Sequence, residues 1–211
     1  MKPPSDPENA AMRRGKLVHA LIEAGIKAGA LPLAQYPKAR EEAMMAEHGF
    51  EWQKNRASGA RLAEHVIGLD PFTGDARPYE HKDHVPQNHM PIIVDLVILG
   101  DLDICDEVEV WDWKTGSPFS SFSYEPQAFA NALGVGLLFG ADKVTTGLAY
   151  LSPEGVKPKS WTRDVFDFAA DKAKLRMWAE KAPTAEPVEN DKCRYCPVGK
   201  AGMCPAKAKA A

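Results

Sequence analysis

One acidic residue lies in the middle of an otherwise apolar segment that is expected to form a β-strand. Asp95 interrupts the run from Pro91 to Leu99, whose other members are Ile, Val and Leu. Burying an ionised carboxylate is costly unless a cation or hydrogen-bond donors compensate its charge. Asp95 is therefore a candidate cation ligand, and the simpler alternative is a carboxylate that caps a neighbouring turn.

A second acid and a base follow in the segment Asp112-Trp113-Lys114. Residues i and i+2 of a strand point to the same face, so Asp112 and Lys114 are predicted to project together. Two carboxylates and one lysine at the end of a sheet suit phosphodiester hydrolysis. The acids hold one or two Mg²⁺ or Mn²⁺ ions, and the lysine orients the attacking water or offsets developing charge. An isolated Asp-x-Lys also fits a salt-bridged surface hairpin, but the preceding strand with Asp95 favours the catalytic interpretation.

Three further residues are candidates for the same site. Gly15 precedes His19 by one helical turn, which permits close approach of the helix to the sheet and lets His19 reach a metal ion. Glu80, in a polar segment predicted to be a strand, is a further candidate ligand. Gln127 opens a predicted helix, where its amide can contact a substrate phosphate or sugar. The alternatives are an ordinary surface or core role for His19 and helix capping for Gln127.

The predicted secondary structure places these residues around one sheet. Ser5-Asp6-Pro7-Glu8 is typical of a helix start, and this helix is expected to end near Ala28. The composition of residues 38–68 predicts one or two more helices. The elements expected after them are strands at 79–85, 91–99 and 107–114, a helix at 126–139, strands at 143–151 and 161–165, and a helix at 168–181. This order predicts the α/β (α+β) class, with a central mixed sheet flanked by helices.

Composition and charge limit the function. The 211 residues are 45% hydrophobic, which fits one globular domain with an appendage and excludes disorder as the main state. The chain carries 26 Lys and Arg against 29 Asp and Glu, so it is not a passive DNA-coating protein. Acidic metal ligands would contribute to that balance. No secretory signal or membrane span is visible, so a cytoplasmic protein without a membrane partner is expected.

The cysteines predict a second metal centre. Cys193, Cys196 and Cys204 lie close together near the C-terminus, whereas Cys105 lies alone in the middle of the chain. In a reducing compartment such spacing favours metal binding over disulfides. A [4Fe–4S] cluster or a structural Zn²⁺ needs four ligands. Three possibilities stay open: Cys105 is the fourth ligand, a residue other than cysteine is, or the thiols are merely packed.

Together these residues resemble the RecB-type branch of the PD-(D/E)XK nuclease superfamily, which includes the AddB nuclease domain, the Cas nuclease of CRISPR adaptation and many phage exonucleases. The resemblance covers roughly residues 12–204. The motifs that carry it are Gly15-x3-His19, Asp95, Asp112-Trp113-Lys114-Thr115-Gly116, Gln127 and the C-terminal cysteines. One departure is Asn131, where the family often has Tyr four residues after the Gln.

The resemblance implies a site and a restriction-endonuclease-like core. His19, Asp95 and Asp112 would bind the divalent metal together with the Trp113 carbonyl. Lys114 would be the catalytic lysine and Gln127 the motif glutamine. Residues 1–182 would form the nuclease core, including a helical insertion at 38–70, and residues 183–211 a Cys-rich segment packed on it.

The function implied is that of a Mg²⁺- or Mn²⁺-dependent DNA nuclease, an exonuclease acting on single strands or DNA ends in recombination, repair or phage DNA processing. A helicase, recombination or CRISPR-adaptation partner is also implied. The alternative is a non-catalytic DNA-binding or assembly module on a nuclease fold, although the complete Asp, Asp and Lys set favours catalysis. A zinc or iron–sulfur adaptor would account only for the last twenty residues.

Overall fold

The structure, a computed structural model, describes residues 10–35, 38–56, 59–100, 107–115 and 124–181. Its helices are α1 (Ala10–Ala28), α2 (Arg40–Lys54), α3 (Glu125–Phe139) and α4 (Val165–Lys181). Its strands are β1 (Arg61–Leu69), β2 (Ala76–Tyr79), β3 (Met90–Leu99), β4 (Val108–Lys114), β5 (Lys143–Ser152) and β6 (Gly155–Asp164). Single 3₁₀ turns occupy Leu33–Gln35 and Lys82–His84.

All six strands form one sheet in the order β2-β1-β3-β4-β5-β6. Only the β4–β5 pair is parallel, and the other neighbours are antiparallel. A parallel connection needs a crossover, and α3 supplies it between β4 and β5. The crossover brings the N-terminus of α3 beside the C-terminal end of β4. The mixed sheet flanked by helices confirms the predicted fold class.

Apolar side chains are buried on both faces of the sheet. In β4, Val108 and Val110 pack on the side of α3, whereas Trp111 and Trp113 pack on the side of α1 and α2. Helix α1 contributes its buried face to this second core through Val18, Leu21 and Ile22. Because both faces are covered, the open ends of the central strands are the natural place for a polar site.

Several predicted elements are confirmed, with small differences at their ends. Strand β3 is the predicted apolar strand, β4 is the Asp-x-Lys strand and α3 is the helix after it. The strand predicted at 143–151 corresponds to β5, and the helix predicted at 168–181 corresponds to α4. The last predicted strand is longer than expected, since β6 begins at Gly155. The predicted helix start at Ser5–Glu8 lies outside the described residues.

The helical prediction for 38–68, and with it the helical insertion at 38–70, is wrong after Lys54. Residues Arg61–Leu69 form β1, which pairs with β3 along its length. Ala, Glu and Arg in this stretch have the composition of a helix. The side chains of Val66, Ile67 and Leu69 are nevertheless buried in the sheet, and this tertiary packing outweighs local propensity.

The polar strand predicted at 79–85 is also misplaced. The strand β2 ends at Tyr79, and a 3₁₀ turn follows at Lys82–His84. His81 begins this turn, since its Nδ1 accepts a hydrogen bond from the Asp83 N–H at 3.3 Å. Such a bond from a side chain to the backbone competes with strand pairing.

Among the described helices, none combines the length and apolar character that a membrane crossing requires.

Candidate active site

Asp112 and Lys114 project from the same face at the end of β4, as the strand periodicity predicts. The Lys114 ammonium forms an ion pair with Asp112 Oδ2. The Gln127 side chain, in the first turn of α3, donates from Nε2 to Asp112 Oδ1 at 3.2 Å. The Lys114 ammonium also lies 4.5 Å from the centre of the Tyr124 ring. Gln127 of α3 and Tyr124, the residue just before this helix, therefore contact the two charged groups of the Asp-x-Lys strand.

Asp95 is buried, with 9% of its surface exposed, and its carboxylate has two neighbours that compensate its charge. Asp95 Oδ2 accepts a hydrogen bond of 2.7 Å from the backbone N–H of Trp113. The same oxygen lies 3.5 Å from His19 Nδ1. The pairing of β3 with β4 ends at Leu96 and Trp111. The Trp113 N–H, just past that end, is therefore free to donate to the Asp95 carboxylate.

His19 reaches Asp95 because α1 approaches the end of the sheet closely. A Cβ atom on Gly15 would lie 3.1 Å from Thr115 Oγ1, just beyond β4. A side chain at this position would crowd the Thr115 hydroxyl, so the glycine permits the close approach. The glycine thus has the role that the Gly-x3-His spacing predicts.

Glu64 is part of the site, although sequence analysis did not identify it. One ligand atom each from His19, Glu64 and Asp95 lies within 4.8 Å of the others, so among the described residues these three form a group that could hold a metal ion. Glu64 lies on β1, in the segment interpreted as helical, and this misassignment concealed it. Once β1 is known to be a strand paired with β3, the position of Glu64 opposite Asp95 indicates a second acidic ligand.

The alternation of side chains between the two faces of the sheet changes phase at Glu64 in β1 and at Asp95 in β3. On one side of this point Ile67 and Ile92 are paired and pack towards α3. On the other side Leu96 packs towards α1, although simple alternation would place it with Ile92. Glu64 absorbs the irregularity with a backbone φ of 50°, in the left-handed region that is costly for a non-glycine residue. The strain lies at the site itself.

The charge of Asp95 raises the proton affinity of the two carboxylates beside it. Burial and then the charge of Asp95 raise the pKa of Asp112 to about 6, against the opposing effect of Lys114. Burial and Asp95 also raise the pKa of Glu64. Burial acts to lower the pKa of His19, but Asp95, Asp112 and Glu64 outweigh it and the pKa is raised. The field at the site is therefore strongly negative.

The donor set fits a divalent cation. Carboxylate oxygens are the preferred ligands of Mg²⁺, and an imidazole beside them is compatible with Mn²⁺. Asp112 Oδ2 is buried, and the Lys114 ammonium is the positive group that lies against it. His19, Glu64 and Lys114 line a cleft of about 750 Å³ that is open to solvent and includes Tyr124 and Tyr150.

Of the sequence-predicted residues, His19, Trp113 and Lys114 line this cleft, and most of the others are hydrogen-bonded or ion-paired to them or to one another. His19, Asp95, Asp112, Lys114 and Gln127 are brought together, and the Trp113 carbonyl as a ligand stays a prediction. Glu80 lies exposed in the bend after β2 and is not part of the described ligand group. The four cysteines, Cys105, Cys193, Cys196 and Cys204, lie outside the described residues, and Asn131 is buried in α3.

A mixed sheet with an Asp-x-Lys strand, a second buried acid and a histidine at its open end is typical of metal-dependent nucleases. The model of the PD-(D/E)XK nuclease superfamily matches residues 1–205, and the chain belongs to this superfamily. Membership implies nuclease activity with a divalent metal and confirms the restriction-endonuclease-like core. No curated protein matches the chain. A solved structure described as "Crystal structure of SSO0001" is 15% identical, with 97% of this chain and 89% of that chain covered and a TM-score of 0.45.

Asp112→Asn is expected to stabilise the metal-free protein. A carboxyl group with a pKa of about 6 in the folded chain and an ordinary value in the unfolded chain destabilises the ionised folded state. The cost is up to about 3 kcal/mol above pH 6 and falls as the pH drops towards 4. Thermal unfolding in EDTA should therefore give a higher Tm for the variant at about pH 7.5, with a smaller difference at about pH 5. Asp83→Asn, at an exposed position, is the matched control, and a lower Tm for Asp112→Asn would contradict the account.

Glu64→Gln is expected to weaken Mn²⁺ binding by about tenfold or more, because it removes one anionic donor while nearly preserving side-chain size. Isothermal titration of the metal-free protein with Mn²⁺ measures the change. Glu80→Gln, at the exposed acid in the bend after β2, should bind Mn²⁺ with the same affinity as the unaltered chain. Equal affinities for the Glu64 variant and the unaltered protein would remove Glu64 from the ligand set.

Proposed function

We propose that the chain is a divalent-metal-dependent deoxyribonuclease of the RecB-type branch, which hydrolyses phosphodiester bonds of single-stranded DNA or of DNA ends. The observation that supports this proposal most directly is the shared face of Asp112 and Lys114 beside the buried Asp95. The negative field of the cleft suits a cation, and the cleft, of about 750 Å³, is open to solvent.

The residues proposed to hold Mg²⁺ or Mn²⁺ are His19, Glu64, Asp95 and Asp112, with the Trp113 carbonyl as a further donor. When bound, the ion would polarise the phosphate and lower the pKa of a coordinated water. Asp112 acts in its ionised form, which its pKa of about 6 provides at neutral pH. Gln127 keeps this carboxylate oriented through its hydrogen bond to Oδ1.

Lys114 is proposed to act on the reacting groups. Its ammonium lies between the Asp112 carboxylate and the Tyr124 ring, so its position is restricted before substrate binds. From there it donates to the attacking water or to a non-bridging phosphate oxygen, where charge develops. The water gives up one proton to solvent as its oxygen forms a new bond to phosphorus. The bond from phosphorus to the leaving oxygen breaks, and that oxygen takes up a proton from solvent.

The wider role is proposed from the resemblance. An exonuclease of this branch would act in recombination, repair or phage DNA processing, beside a helicase or a CRISPR-adaptation complex. Residues 1–182 would form the catalytic core. The cysteine-rich segment, residues 183–211, would hold a [4Fe–4S] cluster or Zn²⁺ and pack on that core without taking part in hydrolysis.

Lys114→Ala is expected to lower nucleotide release by at least about a hundredfold, because the positioned cation that acts on water or phosphate is lost. Release of acid-soluble nucleotides from linear DNA in Mn²⁺ measures the effect. Lys82→Ala, at an exposed lysine in the turn after the edge strand β2, should keep full activity. Full activity in the Lys114 variant would favour a non-catalytic module with a contaminating nuclease.

A free DNA end is expected to be required. Linear single-stranded DNA should be degraded fastest, linear duplex more slowly, and circular single-stranded DNA not at all. Gel analysis of the three substrates at equal nucleotide concentration measures this order. Cleavage of circular DNA at the rate of linear DNA would make the enzyme an endonuclease and overturn this part of the proposal.

A further inference from the structure

The edge strand β6 carries a row of basic and aromatic side chains on one face. Lys157, Lys159, Trp161 and Arg163 alternate along the strand and therefore point to the same side. Trp161 makes an edge-to-face contact with Phe129 of α3 at 6.0 Å between ring centres. This contact identifies the face as the one that carries α3.

The strand register connects this row to the proposed active site. Strand β5 lies between β4 and β6, so each lysine is two strands away from a site residue, or about 10 Å. The two transverse rows are Lys114, Tyr150 and Lys157, and Asp112, Leu148 and Lys159. Tyr150 lines the cleft. The basic row therefore begins with Lys157 near the cleft and runs along the edge of the sheet away from it.

The two lysines are available to a ligand. Lys157 and Lys159 are exposed, and within the described parts of the chain neither forms a salt bridge. The Lys159 ammonium lies 4.9 Å from the centre of the Trp161 ring. Arg163 differs, because Asp171 of α4 binds its guanidinium at 2.7 Å. Two exposed lysines without a salt bridge among the described residues are notable in a chain whose net charge is −3.

We propose that Lys157, Lys159 and Trp161, here called the β6 track, bind the single-stranded DNA that leads into or out of the cleft. Ammonium groups bind the phosphate backbone without regard to sequence, and aromatic side chains offer surfaces on which unpaired bases stack. Bases of a duplex are already stacked and cannot use such a surface. The inference rests on the proposed nuclease function and adds to it a path for the substrate.

DNA binding by the full chain with Asp112→Asn, which prevents cleavage, tests the β6 track. Adding Lys157→Glu and Lys159→Glu should weaken binding of a fluorescent oligothymidylate by about tenfold or more in fluorescence anisotropy with Mg²⁺. The salt dependence should also fall, with a log–log slope smaller by about 1.4, because two phosphate contacts are lost from a single strand. The control pair Lys38→Glu and Lys82→Glu makes the same charge change at exposed positions elsewhere.

The control pair distinguishes DNA binding by the β6 track from a general effect of charge. Equal weakening by the control pair would show such a general effect and overturn the proposal, and equal weakening of blunt-duplex binding would overturn the single-strand assignment. Unchanged DNA binding by the track pair would also overturn the proposal, and would leave the β6 edge to a protein partner.

The test is also independent of the proposed nuclease function. In the chain with Asp112 intact and no other change, hydrolysis of thymidine 5′-(p-nitrophenyl phosphate) tests the nuclease proposal separately from DNA binding. If the unaltered protein cleaves no phosphodiester at all, the nuclease proposal fails, while the binding measurement still decides the track.

Discussion

The concentration of negative charge at one end of a buried sheet is the constraint on which the rest of the structure depends. Burial and the charge of Asp95 raise the pKa of both Glu64 and Asp112, and the nearby positive groups do not cancel the effect. A protein that keeps ionised carboxylates at such positions gives up stability. A divalent cation that enters the cleft relieves the repulsion, so metal binding and folding stability are linked.

Each neighbouring element contributes one part of this arrangement. The parallel β4–β5 pair requires a crossover helix, and that helix delivers Gln127 to Asp112. The small Gly15 lets α1 approach Thr115 and bring His19 to Asp95. Strands β1 and β3 change faces together at Glu64, whose backbone carries the strain. Such strain is tolerated where the surrounding packing is strong, as it is on both faces of this sheet.

The Asp-x-Lys strand could be predicted because i and i+2 in a strand share a face whatever the rest of the fold. Asp95 was visible because a charge in an apolar run is conspicuous, and His19 because its glycine stands one turn earlier. Glu64 could not be identified, since its importance depends on the pairing of β1 with β3, which is a long-range contact. The same applies to the β6 track, whose relation to the site exists only through the register of three strands.

The position of a bound Mn²⁺ ion tests the central claim most directly. Crystals of the full chain soaked in Mn²⁺ and measured at the manganese absorption edge would show the ion as an anomalous difference peak. The account predicts a peak in contact with the His19 imidazole and with the Asp95 and Glu64 carboxylates. A fully occupied ion elsewhere, with the three side chains unliganded, would contradict it.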